Sequence, residues 1–373
     1  MRERTSGANA MISEDVKLDY DDVLIVPDKS PVASRKQVML EKRISFSERA
    51  SAEYVGVPIM AANMDGVGTT DMADALRRHG IFTCLTKFHS ARELADFFNG
   101  APERGEFTAV TIGISDEDLQ KFVEAENLAK GRINYACLDV ANGYTDRFVD
   151  RVRKFRDMFP GIVLIAGNVV THEQTSRLIE AGADIVKVGI GGGSVCETRV
   201  KTGVGYPQFS AIQECVHSAH RVGKAIVADG GCTVPGDVAK ALAGGADFVM
   251  LGGMLAGHLE GGGTVISKYF RTDEVDEAGN PIVEKRNFVE FYGMSSKTAN
   301  EKHFGGLQNY RSSEGRTVMI PFRPSLDDTV VDLLGGLRST CSYVGAEKIG
   351  QLPEKASFVR CNSTHNKVFQ DLD

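Results

Sequence analysis

The sequence of 373 residues lacks any apolar segment long enough to span a membrane. A membrane-spanning helix needs about 18–20 mostly apolar residues in succession, and no run of the chain approaches that length. The first 17 residues carry acidic side chains and have no apolar centre, so they do not resemble a secretory signal peptide. We therefore expect a cytoplasmic protein without a membrane partner.

The sequence also lacks the spacings of common zinc and disulfide sites. Its seven cysteines form no CxxC pair, and no HExxH motif is present. An odd number of cysteines without paired spacing is typical of free thiols in a reducing compartment. We expect neither a disulfide framework nor a zinc site.

The sequence also has no excess of basic over acidic residues. The chain has 43 basic and 50 acidic residues, a net charge of −7, which argues against a broad nucleic-acid-binding surface. A hydrophobic content of 42% with 25% charged residues is ordinary for a globular protein. A chain of this size buries enough apolar surface to fold without covalent cross-links.

From Pro58 onward, short apolar runs alternate with amphipathic stretches of helical length. Eight such runs occur, at 58–63, 81–87, 107–113, 133–143, 161–169, 183–192, 224–231 and 247–254. Strands that alternate with helices form a parallel sheet, and eight repeats favour closure into a (β/α)8 TIM barrel. A doubly wound open sheet is the alternative, but it more often has five or six strands and a glycine-rich first turn.

The remaining segments are assigned around one barrel domain that covers residues 1–373. Residues 1–57 are interpreted as an N-terminal extension with outer strands, and 58–260 as the eight repeats. Residues 261–324 are polar with β-type runs, and we interpret them as a flap over the barrel mouth. Residues 325–373 should form the last helix, capped by Ser325, and a tail.

Chemistry is concentrated between Gly189 and Gln208, a stretch with six glycines around Cys196. Such a density of glycine is kept where the backbone turns sharply or approaches a ligand closely. Cys84 and Cys137 lie within strand-like runs and are expected to act as small buried hydrophobes, the usual role of cysteine. Cys196 follows the sixth strand among small and polar neighbours, so we interpret it as a nucleophile.

Paired glycines follow the last two barrel strands, in ADGGC (228–232) and LGG (251–253). The loops after strands seven and eight of this fold commonly bind phosphate through backbone N–H groups. The alternative is that these glycines only permit tight turns. Asp229 is better suited to accept hydrogen bonds from sugar hydroxyls, which favours a nucleotide or sugar phosphate as ligand.

Several polar residues are candidates that sequence position alone leaves open. Lys87 ends strand two, Asp139 and Asn142 end strand four, and Glu314 lies in the flap, where a carboxylate could act as a general acid or base. The basic pair Ser34-Arg35 would by itself be interpreted as solvated surface.

Taken together, these motifs resemble the IMP dehydrogenase/GMP reductase family. The resemblance is carried by GIGGGSVCETRVKTGVGYPQ (189–208), ADGGC, LGG, FYGMSS (291–296) and YRSSEGRTV (310–318), and it runs from about Leu18 to the tail. The chain has no room after strand two for the regulatory insertion of the dehydrogenases. The flap has Tyr310-Arg311 in place of their Arg-Tyr pair, so the resemblance is closer to the reductases.

The resemblance implies NADPH-dependent reductive deamination of GMP to IMP with release of ammonia, through a covalent bond between Cys196 and purine C2. Thr198 and Glu314 are the implied dyad that helps to protonate the leaving amine. The implied substrate-binding residues are Ser194, Asp229, Gly230, Gly231, Gly252, Gly253, Gly293, Met294, Ser295, Arg311, Ser312, Ser313 and Gly315. An IMP dehydrogenase that makes XMP with NAD, an FMN-binding barrel and a non-catalytic nucleotide-binding regulator are the alternatives.

The resemblance also implies a cofactor site, a cation site and a homotetramer. The implied NADPH-binding residues are Ser34, Arg35, Lys87, Asp139, Val140, Ala141, Ile190 and Gly191, and the resemblance allows Ser34-Arg35 to be supplied across a subunit interface. The implied K⁺ ligands are carbonyl oxygens of Gly191, Gly193, Cys196 and Arg199. The loop departs from the family pattern at Gly192, usually proline, and at Glu197, commonly threonine.

Overall fold

A computed structural model describes residues 12–46 and 53–362. Its strands are β1 (Val23–Val26), β2 (Lys42–Ser45), β3 (Glu53–Ala61), β4 (Ile81–Leu85), β5 (Thr108–Ile112), β6 (Tyr135–Asp139), β7 (Val163–Val169), β8 (Ile185–Val188), β9 (Ala225–Asp229), β10 (Phe248–Leu251), β11 (Val265–Val275), β12 (Pro281–Tyr292), β13 (Thr317–Pro321) and β14 (Ser357–Arg360). Strands β3 to β10 pair in parallel with their sequence neighbours, and β10 pairs with β3. The sheet is therefore a closed eight-stranded barrel, which confirms the predicted fold class.

The helices lie between the barrel strands and after them. They are α1 (Thr70–Arg77), α2 (Ala91–Gly100), α3 (Asp116–Ala129), α4 (Asp146–Met158), α5 (His172–Glu180), α6 (Thr198–Thr202), α7 (Gln208–His220), α8 (Pro235–Ala243), α9 (Lys297–Phe304), α10 (Asp327–Tyr343) and α11 (Leu352–Lys355). Local sequence sets their starts: Ser90 and Ser115 accept hydrogen bonds from the backbone N–H three residues later, at Glu93 and Asp118. These are capping boxes that satisfy N–H groups left free in the first turn.

The barrel strands are continuous apolar runs in the sequence because both of their faces are buried. Every residue of β4, β5 and β8 is buried. One face packs in the barrel interior, where Phe82, Tyr135 and Phe248 contribute large rings. The other face packs against the surrounding helices, the arrangement expected for parallel strands covered on both sides.

The N-terminal segment and the tail meet on the outside of the barrel. β1 pairs antiparallel with β14, so the tail folds back onto its own chain. β2 pairs antiparallel with the first residues of β3, which extends this first barrel strand back to Glu53. The strand thus begins five residues before the predicted start at Pro58, because an outer strand continues its hydrogen bonding.

The predicted flap forms a three-stranded antiparallel sheet of β11, β12 and β13, with α9 between its last two strands. The β-type runs predicted in this segment, at 264–269, 288–292 and 317–320, overlap these strands. β11 and β12 are longer than the predicted runs. The helix predicted after the flap is α10, which begins at Asp327. Ser325 Oγ accepts a hydrogen bond from Asp327 N at 3.2 Å, but Leu326 occupies the cap position itself. In the described residues, no helix is long and apolar enough to cross a membrane.

A buried ion cluster joins the helical layer to the amino end of the barrel. Asp184 is fully buried, and its carboxylate accepts hydrogen bonds from Arg156 at 2.6 Å and from Lys224 at 3.0 Å. It also accepts one from the Leu164 backbone N–H at 3.0 Å. Removal of one member of such a cluster leaves buried charges without a counter-charge.

We expect Asp184→Asn to lower the free energy of unfolding by about 3–5 kcal/mol, as measured by urea denaturation. The control is Asp150→Asn, which removes the exposed ion pair with Arg153. An exposed pair contributes at most about 1 kcal/mol. Equal effects of the two substitutions would contradict a structural role for the buried cluster.

Candidate active site

The loop that carries Cys196 follows β8 at the carboxyl end of the barrel strands and leads into α6. Gly189 and Gly191 have positive φ angles of 151° and 82°, so the backbone turns where other residues would be strained. The Cys196 N–H donates to Gly193 O at 3.0 Å, which closes a tight turn. The turn leaves the half-buried Cys196 side chain at the mouth of the barrel.

Cys196, Thr198 and Glu314 form a continuous hydrogen-bond relay. The Cys196 thiol donates to Thr198 Oγ1 at 3.2 Å, and the Thr198 hydroxyl donates to Glu314 Oε2 at 2.9 Å. All three residues are partly buried. The structure therefore brings the predicted nucleophile and dyad together, in an order that can carry a proton between sulfur and carboxylate.

Backbone pairing holds the flap against the cysteine loop. The Glu197 N–H donates to Glu314 O at 2.7 Å, and the Arg316 N–H donates to Val195 O at 3.0 Å. The Arg316 guanidinium also donates to Ser194 O at 2.8 Å. Glu197, one of the departures from the family pattern, thus joins the flap through its backbone.

The predicted phosphate residues converge beside this loop. A methyl group added at Gly253 would lie 2.7 Å from Ser194 Oγ, and one at Gly230 would lie 3.2 Å from Gly193 N. Gly230 and Gly231 have φ angles of 99° and 86°, values that favour glycine. Gly252 lies next to Gly253 in the turn that follows β10.

A cavity of about 650 Å³ opens beside the predicted phosphate residues. Ser194 and Gly253 line it together with Arg316, Arg323, Asp328 and Asp332. The cavity therefore joins the predicted phosphate residues to side chains of both charges.

The predicted base-binding residues also lie near the cysteine loop, and Gly315 of the flap pairs with Cys196. A methyl group at Gly293 would lie 3.0 Å from Val195 O, and Met294 and Ser295 follow it directly. Ser313 Oγ donates to Gly315 O at 2.8 Å. Arg311 and Ser312 are exposed, and Arg311 packs against its neighbour Tyr310 instead.

The predicted cofactor residues fall into two groups. Lys87, Asp139–Ala141 and Ile190–Gly191 all follow or end barrel strands at the carboxyl edge. The Val140 N–H donates to Gly167 O, and Ile190 O accepts from Tyr206 N, so these backbones are held within the barrel rim.

Ser34 and Arg35 form a separate group at the exposed short helical turn that packs against α10. Their described hydrogen bonds stay within the turn, where Ser34 Oγ accepts from Lys36 N. Among the described residues, no hydrogen bond or ion pair joins this pair to Lys87 or Asp139.

The four predicted cation ligands lie in one short segment. Gly193 O already accepts from Cys196 N, and Arg199 O accepts from Gly203 N at 3.1 Å. A carbonyl oxygen has two lone pairs, so these bonds leave capacity for a cation. The Arg199 side chain packs on Gly191 and donates to Asp19 Oδ2 at 3.1 Å, which ties the loop to the N-terminal segment.

Lys187 is a site residue that sequence reasoning missed. Its side chain is only 2% exposed, and its ammonium group pairs with Asp139 and, at 3.1 Å, with Asp229. Burial alone would lower the pKa of Lys187, but the two carboxylates raise the pKa above its usual value. The available signal was a lysine inside the apolar run of β8, where a charge must face a buried partner.

Asn168 was also missed. Its side-chain amide donates to Asp229 Oδ2 and to Gly189 O, each at 2.8 Å. It therefore connects the predicted ribose-binding carboxylate to the start of the cysteine loop. No motif pointed to it, because a single asparagine at a strand end is common.

A third unpredicted feature is a polar anchor beneath α9. The Asp65 side chain is 8% exposed and accepts hydrogen bonds from His303 at 2.5 Å and Tyr292 at 2.7 Å. Lys302 Nζ lies 3.2 Å from the same carboxylate, and the His303 ring stacks on Phe88. Asp65 thus attaches the flap to the loop that follows β3.

Comparison with known proteins gives a consistent result. The family model for the IMP dehydrogenase / GMP reductase domain matches residues 17–367. The chain is 49% identical over 362 residues to a GMP reductase of Klebsiella pneumoniae, covering 97% of the chain and 99% of that protein. It has the same identity and coverage with a GMP reductase of Salmonella typhi.

We expect Asp65→Asn to weaken the attachment of α9. Hydrogen bonds to a charged group contribute about 1.5–3 kcal/mol, so amide exchange in α9 should accelerate roughly 10–100-fold. Hydrogen–deuterium exchange measures this directly. The control is Glu301→Gln on the same helix, which removes only an exposed pair with Lys297 and should leave exchange unchanged.

The same anchor should weaken in acid. Burial acts to raise the pKa of Asp65, but His303, Tyr292 and Lys302 outweigh it and lower the pKa below 3.8. A carboxylate with a lowered folded-state pKa contributes stability above about pH 4 and loses it as the pH falls through the folded value. An Asp65→Asn protein should show no such acid dependence in α9, and equal acid dependence in both proteins would contradict the assignment.

Proposed function

The chain belongs to the IMP dehydrogenase / GMP reductase family, and from this premise we propose that it is a GMP reductase that converts GMP to IMP and ammonia with NADPH. The observation that carries the proposal is the relay of Cys196, Thr198 and Glu314, which joins a nucleophile to a proton-transfer group. The near-complete coverage of the two bacterial GMP reductases supports the same conclusion.

Cys196 is the nucleophile of the proposed reaction. Its proton passes through Thr198 to Glu314, and the thiolate forms a bond to purine C2. The Glu314–Thr198 pair then returns a proton to the amino group at C2, and ammonia leaves. Bound NADPH supplies the hydride for C2, after which the C–S bond breaks and releases the thiolate and IMP. The balance is GMP, NADPH and a proton in, and IMP, ammonia and NADP⁺ out.

The substrate is oriented by residues on three sides of the relay. Ser194 and the paired glycines at 230–231 and 252–253 hold the phosphate, and Asp229 accepts from the ribose hydroxyls. Residues 293–295 contact the base, and residues 311–315 close over it. The close approach of Ser194 Oγ to Gly253 supports this arrangement, because it brings the Ser194 hydroxyl beside the glycine turn that follows β10.

The cofactor would lie along the same carboxyl edge of the barrel, against Asp139–Ala141, Ile190–Gly191 and Lys87. The acidic and basic groups at that rim suit a nicotinamide carboxamide and a phosphate. Ser34 and Arg35 act at the adenosine end from a neighbouring subunit of a homotetramer. They lie on an exposed turn beside α10, and among the described residues no hydrogen bond or ion pair joins them to Lys87 or Asp139. This position supports a role across an interface.

The carbonyl oxygens of Gly191, Gly193, Cys196 and Arg199 suit a monovalent cation such as K⁺, since they are hard donors within one short segment. This protein is proposed to act as one domain in the cytoplasm.

The activity is tested by offering GMP with NADPH, and IMP with NAD, while nicotinamide absorbance is followed. Oxidation of NADPH with GMP supports the proposal. Reduction of NAD with IMP would instead identify a dehydrogenase, and a yellow preparation would indicate a flavin barrel.

Cys196→Ala should bind GMP with an affinity within about threefold of the unaltered protein but oxidise no NADPH, because the covalent step is lost. Isothermal titration and the absorbance assay measure the two properties. Cys361→Ser, which changes a partly exposed thiol near β14, should keep full activity. Turnover by Cys196→Ala would rule out the nucleophile.

Glu314→Gln should lower kcat by about 10²–10⁴ with a smaller change in the KM for GMP, as expected when general acid–base catalysis is removed. Thr198→Val should cause a similar loss, and the double variant should lose no more than the worse single one. Additive losses would show that the two residues do not act as one relay.

A further inference from the structure

Lys187 is unusual among the ion-paired lysines described because its two partners belong to different predicted ligand sites. Asp139 ends β6 on the side assigned to the cofactor, and Asp229 ends β9 on the side assigned to the substrate ribose. Lys187 lies on β8, with β7 between it and β6. One ammonium group therefore connects the carboxylates at two non-adjacent strand ends.

The two carboxylates that pair with Lys187 are partly exposed to solvent, whereas the lysine side chain is buried. The side chains of Asp139 and Asp229 are 32% and 23% exposed, against 2% for Lys187. Lys187 Nζ contacts Oδ1 of Asp139 and Oδ2 of Asp229, and part of each carboxylate side chain stays exposed. A ligand can therefore reach either carboxylate without displacing the lysine.

A buried, ion-paired lysine contributes little net stability to the fold, since desolvation of its charge offsets most of the attraction to its partners. Its position in β8 would otherwise be filled by a branched apolar residue, as in the layers of a barrel interior. A charge retained here needs a reason other than packing.

We propose that Lys187 is a positioning residue that fixes Asp139 and Asp229 relative to each other, so that substrate and cofactor are oriented by one shared group. Asn168 supports one side, because it donates to Asp229 from β7. The inference rests on the proposed function, which assigns the two carboxylates to the two ligands.

Lys187→Met keeps the length of the side chain and removes its charge. The KM for GMP and the KM for NADPH should both rise, each by about tenfold or more, because both carboxylates lose the group that orients them. Asp229→Asn should raise mainly the KM for GMP, and Asp139→Asn mainly the KM for NADPH. A purely structural role would lower the amount of active enzyme and leave both KM values unchanged.

The matched control is Lys42→Met, which removes a lysine from the buried carboxylate of Asp247 at the opposite end of the barrel. It should leave both KM values unchanged. Lys187→Arg keeps the charge and serves if Lys187→Met does not fold; its longer side chain should shift both KM values in parallel.

A change in only one KM, or in neither, for an active Lys187 variant would overturn the inference. Failure of the proposed function is a separate outcome, since the unaltered protein would then show no oxidation of NADPH with GMP.

Discussion

The active-site assembly depends on the backbone pairing between the cysteine loop and the flap. Glu197 and Glu314 are far apart in sequence, yet one backbone hydrogen bond joins them, and Arg316 adds a second to Val195. These bonds set the distance at which Thr198 meets the Glu314 carboxylate. Backbone pairing suits this task because its geometry varies little with the side chains nearby. Loss of the pairing would separate the carboxylate from the nucleophile.

The two sides of the site differ in how they are supported. The turns at Gly230 and Gly253 follow barrel strands that are buried on both faces, so their positions are set by the core. The flap is held by the backbone pairing with the cysteine loop, by the polar contacts of Asp65 and by a few buried apolar side chains such as Val289 and Phe291. Segments with few buried apolar contacts open at low free-energy cost. The turns at the strand ends are therefore held more firmly than the flap.

Periodicity and glycine placement were enough to predict the barrel and the position of Cys196, because both are local properties of the sequence. The start of β3 was missed, since its first residues pair with β2, an outer strand that precedes the eight repeats. The Asp65 anchor was missed for a similar reason: its partners His303 and Tyr292 lie more than 200 residues away. The flap position of Glu314 suggested only a general acid or base, and its pairing with Thr198 came from the resemblance, because no spacing rule connects residues 116 positions apart.

The role of Lys187 could have been predicted from the pattern of its own strand. A charged residue between Val186 and Val188 breaks the apolar pattern of a strand that is buried on both faces. Such a break requires a counter-charge at the same depth, and acids near barrel strand ends are the available partners. Asp139 and Asp229 each end a strand and meet that condition. The charge pattern of the strands thus points to the carboxyl rim, the same edge at which the glycine-rich loops gather.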